Sequence, residues 1–152
     1  MSAPTEVQDE EETAQPILAA ARARARSIGV GYAGAVTPAE AWALQQSGAA
    51  RIVDIRTEPE WQFVGHVPDI PLVVWPRDGD EGDLREFLAQ IAERFPREEP
   101  LLFLCRSGVR SHYAAELAAQ SGYPEAYNVL EGFEGNGPGR GWRAAGLPWK
   151  KG

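Results

Sequence analysis

The chain has one cysteine, one methionine and two histidines in 152 residues. A single cysteine excludes an internal disulfide and agrees with a reducing compartment. Neither His66 nor His112 has a second cysteine or histidine at ligand spacing, so no structural metal is expected. No apolar run approaches the length of a membrane span. Met1 to Glu12 is acidic and lacks the basic-then-apolar layout of a signal peptide. Positive charge is scarce too: 15 Lys and Arg against 22 Asp and Glu leave a net charge of -7. That field repels nucleic acid and anionic membrane surfaces as partners. The expectation is a cytoplasmic protein that binds neither.

What is present suits one soluble domain, since 43% of the residues are hydrophobic and the length supports a single sizeable core. Residues 1–15 are polar and acidic and read as a disordered tail. Residues 16–34 form a helical extension, with Ile17, Ala21, Ala25 and Ile28 on a weak apolar stripe and Arg22 and Arg26 one turn apart on a solvated face. The main domain then spans 35–152.

Within that domain Thr37-Pro38-Ala39-Glu40 is a capping box with proline at the first helical position, and Gly48 closes the helix. Residues 51–55 read as a strand. Thr57 to Glu60 repeats the capping-box spacing and opens a short helix carrying Trp61 and Phe63. Leu72 to Trp75 reads as a second apolar strand. Leu84, Phe87, Leu88, Ile91 and Phe95 recur at helical spacing, with Asp83 as the expected N-cap. After a strand at 101–104 come a helix from about Ser111 to Ser121, Gly122 as its cap, and a strand over 126–130. Alternating strands and helices imply an α/β fold, a parallel sheet flanked by helices on both faces. Ligands bind beyond the carboxyl ends of such strands.

Cys105 stands at that edge. The apolar run Leu101 to Leu104 breaks there into Arg106-Ser107-Gly108-Val109-Arg110-Ser111 and then an alanine-rich helical pattern. Backbone N–H groups of a strand-turn-helix junction, with the helix start behind them, form a concave anion site. Such a field lowers a thiol below its ordinary pKa of about 8.5 and makes it a nucleophile. An exposed thiolate of this kind, with no resolving cysteine, is prone to over-oxidation. The competing reading is a buried cysteine acting as a small hydrophobe. The nearby arginines argue against it.

The segment Cys105 to Ser111 resembles the active-site loop of rhodanese-like sulfurtransferases. Val53-Asp54-Ile55-Arg56, Glu60-Trp61 and Gly65-His66-Val67-Pro68 resemble the family's first half. Tyr127 to Phe133 resembles the strand and turn after the catalytic helix, and Trp142 to Pro148 the closing segment. The resemblance covers roughly residues 35 to 149. Two stretches depart from it: Val67 to Pro71 is altered, and Gly135 to Arg140 reads as an insertion. Five glycines between Gly132 and Gly141 suggest a mobile loop beside the site.

The resemblance implies a rhodanese-like fold and a sulfurtransferase without a resident cofactor. Cys105 would take sulfane sulfur from a small anionic donor such as thiosulfate and pass it, as a persulfide, to cyanide or to a thiol, a protein thiol included. Arg106 and Arg110 would hold the donor, amides from Arg106 through Ser107, Gly108, Val109 and Arg110 to Ser111 would stabilise the sulfur, and Asp54 and Arg56 would support the loop by hydrogen bonds. One alternative is a cysteine-dependent phosphatase. That chemistry sets five residues between cysteine and arginine, whereas four stand here, Ser111 holds the arginine's place, and Leu104 precedes the cysteine. Another alternative is a non-catalytic binding or sulfur-carrier module. His112 is expected to be structural or solvated.

Overall fold

The run Leu101 to Leu104 is buried on both sides, as the central strand of a parallel sheet must be. In the computed structural model, which describes residues 3–77 and 80–152 with side chains from Ala14 onward, four strands form the sheet. They are β1 (Gly34–Val36), β2 (Arg51–Asp54), β3 (Leu101–Leu104) and β4 (Ala126–Val129). All neighbours are parallel, in the order β1-β4-β3-β2.

Side chains alternate across a strand, and this assigns the helices to faces. Leu102 and Leu104 pack on one side with Leu18 and Ala21 of α1 (Ala3–Ile28) and Ala41 and Leu44 of α2 (Pro38–Ser47). Leu101 and Phe103 pack on the other with Phe87 and Ile91 of α3 (Glu81–Arg94) and Ala114, Ala115 and Ala118 of α4 (Val109–Gln120). Cys105 continues the second set. The strand's own period therefore turns the thiol toward α4 and fixes where the site lies.

Most local signals act as expected. Thr37 and Glu40 close both halves of a capping box, and Gly48 ends α2 in the left-handed region at φ 78°. Thr57 and Glu60 exchange the same reciprocal bonds. The turn they open, Glu60–Val64, is wider than an α-helix: the Gly65 N–H donates to the Glu60 carbonyl at 3.2 Å.

Other elements differ from the sequence reading. α1 begins at Ala3, so the segment read as an acidic tail forms its first turns, Ala, Glu and Gln being good helix formers; Met1 and Ser2 lie outside the described residues. The buried stripe of α1 is Ala14, Leu18, Ala21 and Ala25, while Ile28 is exposed. Leu72 to Trp75 is not a strand of the sheet. It runs beside β2, with Val73 and Trp75 donating to the carbonyls of Asp54 and Ile55, but only Leu72 forms a bridge. β1 was not legible in sequence, since Gly34-Ala35-Val36 is short and contains one β-former. The N-cap of α3 is Asp80, whose carboxylate accepts from the Asp83 N–H at 2.8 Å. α4 starts two residues earlier than expected, at Val109, and ends at Gln120 with Ser121, not Gly122, as its C-cap.

Candidate active site

The loop after β3 turns at Gly108, where φ is 97°, a left-handed conformation open to glycine. Helix α4 begins at the next residue. This turn swings two backbone N–H groups onto the thiol: Gly108 N lies 3.2 Å and Ser111 N 3.3 Å from Cys105 Sγ. The Ser111 hydroxyl is 3.2 Å from the same sulfur and donates to Asn128 Oδ1 at 2.5 Å. Amides and the positive end of α4 thus converge on one atom, an arrangement that stabilises negative charge there. The thiol is buried, with 1% of its surface exposed. The expected open thiolate is corrected accordingly: the strand's alternation carries the side chain inward, and the loop closes over it.

The loop carbonyls are held from outside, by β4 and the chain that follows it. The Cys105 carbonyl accepts from Phe133 N–H at 2.8 Å, that of Arg106 from Glu134 N–H at 3.0 Å, and that of Gly108 from Asn128 Nδ2 at 3.2 Å. Gly132, at φ 67°, sits so close that a Cβ would stand 2.4 Å from the Arg106 carbonyl carbon. The glycine-rich stretch beyond it is pinned at its base, with Trp142 N–H donating to Gly132 O and Gly141 N–H to the Glu131 carboxylate, both at 2.9 Å.

Both loop arginines are engaged. Arg110 holds Glu60 through two hydrogen bonds of 2.9 Å. Arg106 is 64% exposed and 3.3 Å from Glu134. Arg110 was expected to hold a donor; in the structure it is paired with Glu60, because the turn at 60–64 brings Glu60 over the loop. Partial burial pushes the Glu60 carboxyl up, but the Arg110 hydrogen bonds and the Thr57 backbone N–H outweigh it and hold the group at about 2.

Asp54 and Arg56 do not hydrogen-bond the loop among the described residues, nor are they a solvated pair. Both are buried and bonded to each other at 2.7 Å, Arg56 also donating to the Gly65 carbonyl at 2.8 Å. The guanidinium lies 4.3 Å from the centroid of the Phe133 ring, whose backbone in turn holds Cys105. His112 bonds Tyr32 through Nδ1 at 2.8 Å, and among the described residues the hydrogen bonds to Cys105 Sγ come from Gly108 and Ser111, not from His112. His66 is buried, stacked on Trp61 at 3.5 Å. No group of three metal-ligating side chains occurs among the described residues, and no helix there is long and apolar enough to cross a membrane.

Glu60, Asn128 and Glu134 escaped the sequence reading as site residues. Their spacing from Cys105 carries no periodic signal. The signals that could have found two of them were the capping pattern around Glu60, and the segments Glu60-Trp61 and Tyr127 to Phe133 that carry the family resemblance and contain Glu60 and Asn128.

Comparison with known proteins gives a consistent picture. The family model described as "Rhodanese-like domain" matches residues 37–136. The crystal structure of Rv0390 from M. tuberculosis is 47% identical, with a TM-score of 0.67 over 80% of this chain and 99% of that one. The uncharacterized protein RC0915 of Rickettsia conorii is 39% identical over 106 residues, covering 66% of this chain and 83% of the relative. More distantly, the thiosulfate sulfurtransferase GlpE of Actinobacillus pleuropneumoniae is 26% identical over 113 residues, 74% of this chain and 89% of that protein.

Three outcomes are expected from this geometry. Asp54→Ala strands a buried guanidinium and should lower unfolding free energy by about 3–5 kcal/mol in urea titration. Gly132→Ala forces a methyl group into the Arg106–Ser107 peptide at positive φ and should lower stability by more than about 1 kcal/mol in the same assay. Because the Glu60 pKa is depressed in the fold, its pair with Arg110 stabilises fully above the ordinary carboxylate range and is lost as pH falls toward about 2. The stability gap between wild type and Glu60→Gln should therefore be constant above about pH 5 and shrink as the medium is acidified.

Proposed function

The chain belongs to the rhodanese-like domain family, and from that premise we propose that it is a sulfurtransferase working through a persulfide on Cys105. The observation that carries this reading is the pair of backbone N–H groups on Sγ, from Gly108 and Ser111. The named activity of the distant GlpE relative points the same way.

In the first half-reaction the Cys105 thiolate attacks the outer sulfur of an anionic donor such as thiosulfate. The donor's S–S bond breaks and sulfite leaves with the electron pair, so Cys105 holds a persulfide anion. In the second, cyanide or a thiol attacks the outer sulfur and Cys105 returns as thiolate. The charged atom changes from Sγ to the added sulfur one bond further out, and the amides from Arg106 to Ser111 form the ring that meets it. Arg106 and Arg110 supply positive charge at the rim. Asp54 and Arg56 act as positioning residues through Phe133. A free thiol as the working group fits a cytoplasmic setting. A phosphoryl group suits this ring poorly, since Ser111 at the sixth position is buried and its hydroxyl is spent on Asn128.

Incubation with thiosulfate should add the mass of one sulfur atom to the intact protein, and cyanide should remove it. Cys105→Ser should abolish both while preserving the circular dichroism spectrum. Comparable turnover in the folded variant would rule out the covalent route, and ready hydrolysis of p-nitrophenyl phosphate without thiosulfate turnover would replace it with phosphatase chemistry.

A further inference from the structure

The rim of this site carries little uncompensated positive charge. Glu60 holds both terminal nitrogens of Arg110, and Glu134 lies 3.3 Å from Arg106 and 3.9 Å from Arg143. A dianion approaching Cys105 meets carboxylates beside each arginine. To form a two-pronged contact with Arg110 it has to displace Glu60. Acidity within the physiological range does not relieve this, because Glu60 stays ionised down to about pH 2.

The exposed large side chains on the two elements that carry Glu60 and Arg110 are of another kind. Val109 begins α4 inside the loop, Tyr113 follows one turn later on the same helix face, and Phe63 stands in the turn that carries Glu60; all three are more than half exposed. Sulfonate oxygens gain nothing from such surface. The carbon skeleton of a thiol does, by removing apolar area from water.

We propose that Glu60, by holding Arg110, makes this site select a sulfane sulfur carried on a thiol, R–S–SH, over free thiosulfate. The inference rests on the sulfurtransferase reading above and specifies its donor. The Cys105 thiolate attacks the outer sulfur of the persulfide, the donor's S–S bond breaks, and R–S⁻ leaves with the bonding pair. That leaving thiolate takes up the proton of the transferred sulfur, so the products are R–SH and the Cys105 persulfide anion, with no net oxidation or reduction. At its reacting sulfurs the donor carries at most one charge, and the group that leaves is a thiolate with one charge on sulfur, where thiosulfate would release the sulfite dianion beside Glu60.

The test measures the rate of Cys105 sulfuration by intact mass with three donors: thiosulfate, glutathione persulfide and persulfidated serum albumin. Wild type should favour at least one persulfide over thiosulfate in kcat/KM by about tenfold or more; which persulfide is faster tells whether R is small or a protein. Glu60→Gln keeps the size of the side chain and removes its charge, so the thiosulfate-to-persulfide ratio should rise by about tenfold. A merely structural role would lower both donors together and leave the ratio unmoved. Glu134→Gln, beside the other arginine, should shift the ratio in the same direction and carries the test if Glu60→Gln does not fold. Thiosulfate matching the persulfides in wild type, or an unchanged ratio in the folded variants, overturns the inference while the sulfurtransferase reading stands. Absence of sulfur on Cys105 from every donor overturns both.

Discussion

The site depends on where the carbonyls of one loop point. A peptide's N–H and C=O are rigidly opposed, so a loop can turn its amides toward a sulfur only if its carbonyls find partners on the other side. Here those partners are Phe133 N–H, Glu134 N–H and the Asn128 side chain, all supplied by β4 and the turn after it. Gly132 is the contact that allows this approach, because its missing Cβ leaves room for the Arg106–Ser107 peptide. The loop and the segment after β4 are thus one unit, although more than twenty residues separate them.

Charge is distributed by the same economy of partners. In an acidic protein most basic groups find carboxylates, and the arginines near the sheet follow that rule. Arg24 ties α1 to the Ala35 carbonyl and to Glu40 of the capping box. Arg56 is fully buried and survives there only because Asp54 and the Gly65 carbonyl are within reach and Phe133 offers its ring face. Arg110 is matched by Glu60. The field on the sulfur therefore comes chiefly from fixed dipoles, namely two amides and a helix start, and less from free positive charge. Dipoles of this sort require no reorganisation when charge moves onto the outer sulfur.

Several features were legible in the sequence because they are local. The capping boxes at Thr37 and Thr57 depend on side chains three residues apart, the apolar stripe of α3 on helical spacing, and the cysteine loop on a run of hydrophobic residues that stops abruptly. The alternation of such elements gave the parallel α/β sheet, and the family followed from motifs in their proper order. Elements without a strong local signal were missed. β1 has three small or short residues and exists because β4 offers it an edge, and Leu72 to Trp75 has strand composition but borders β2 through only a few bonds.

Sequence by itself determined that Cys105 ends a strand and precedes a helix, since hydrophobic period, glycine and alanine content act within a few residues of one another. It also determined the acidic balance of the chain. Only the tertiary structure decided that the thiol is buried, that Asp54 and Arg56 pair in the core beside Phe133 and not with the loop, and that Glu60 holds Arg110. Each of these joins residues from different elements. The distance between such residues is set by strand register and helix packing, quantities that no window of neighbouring residues contains.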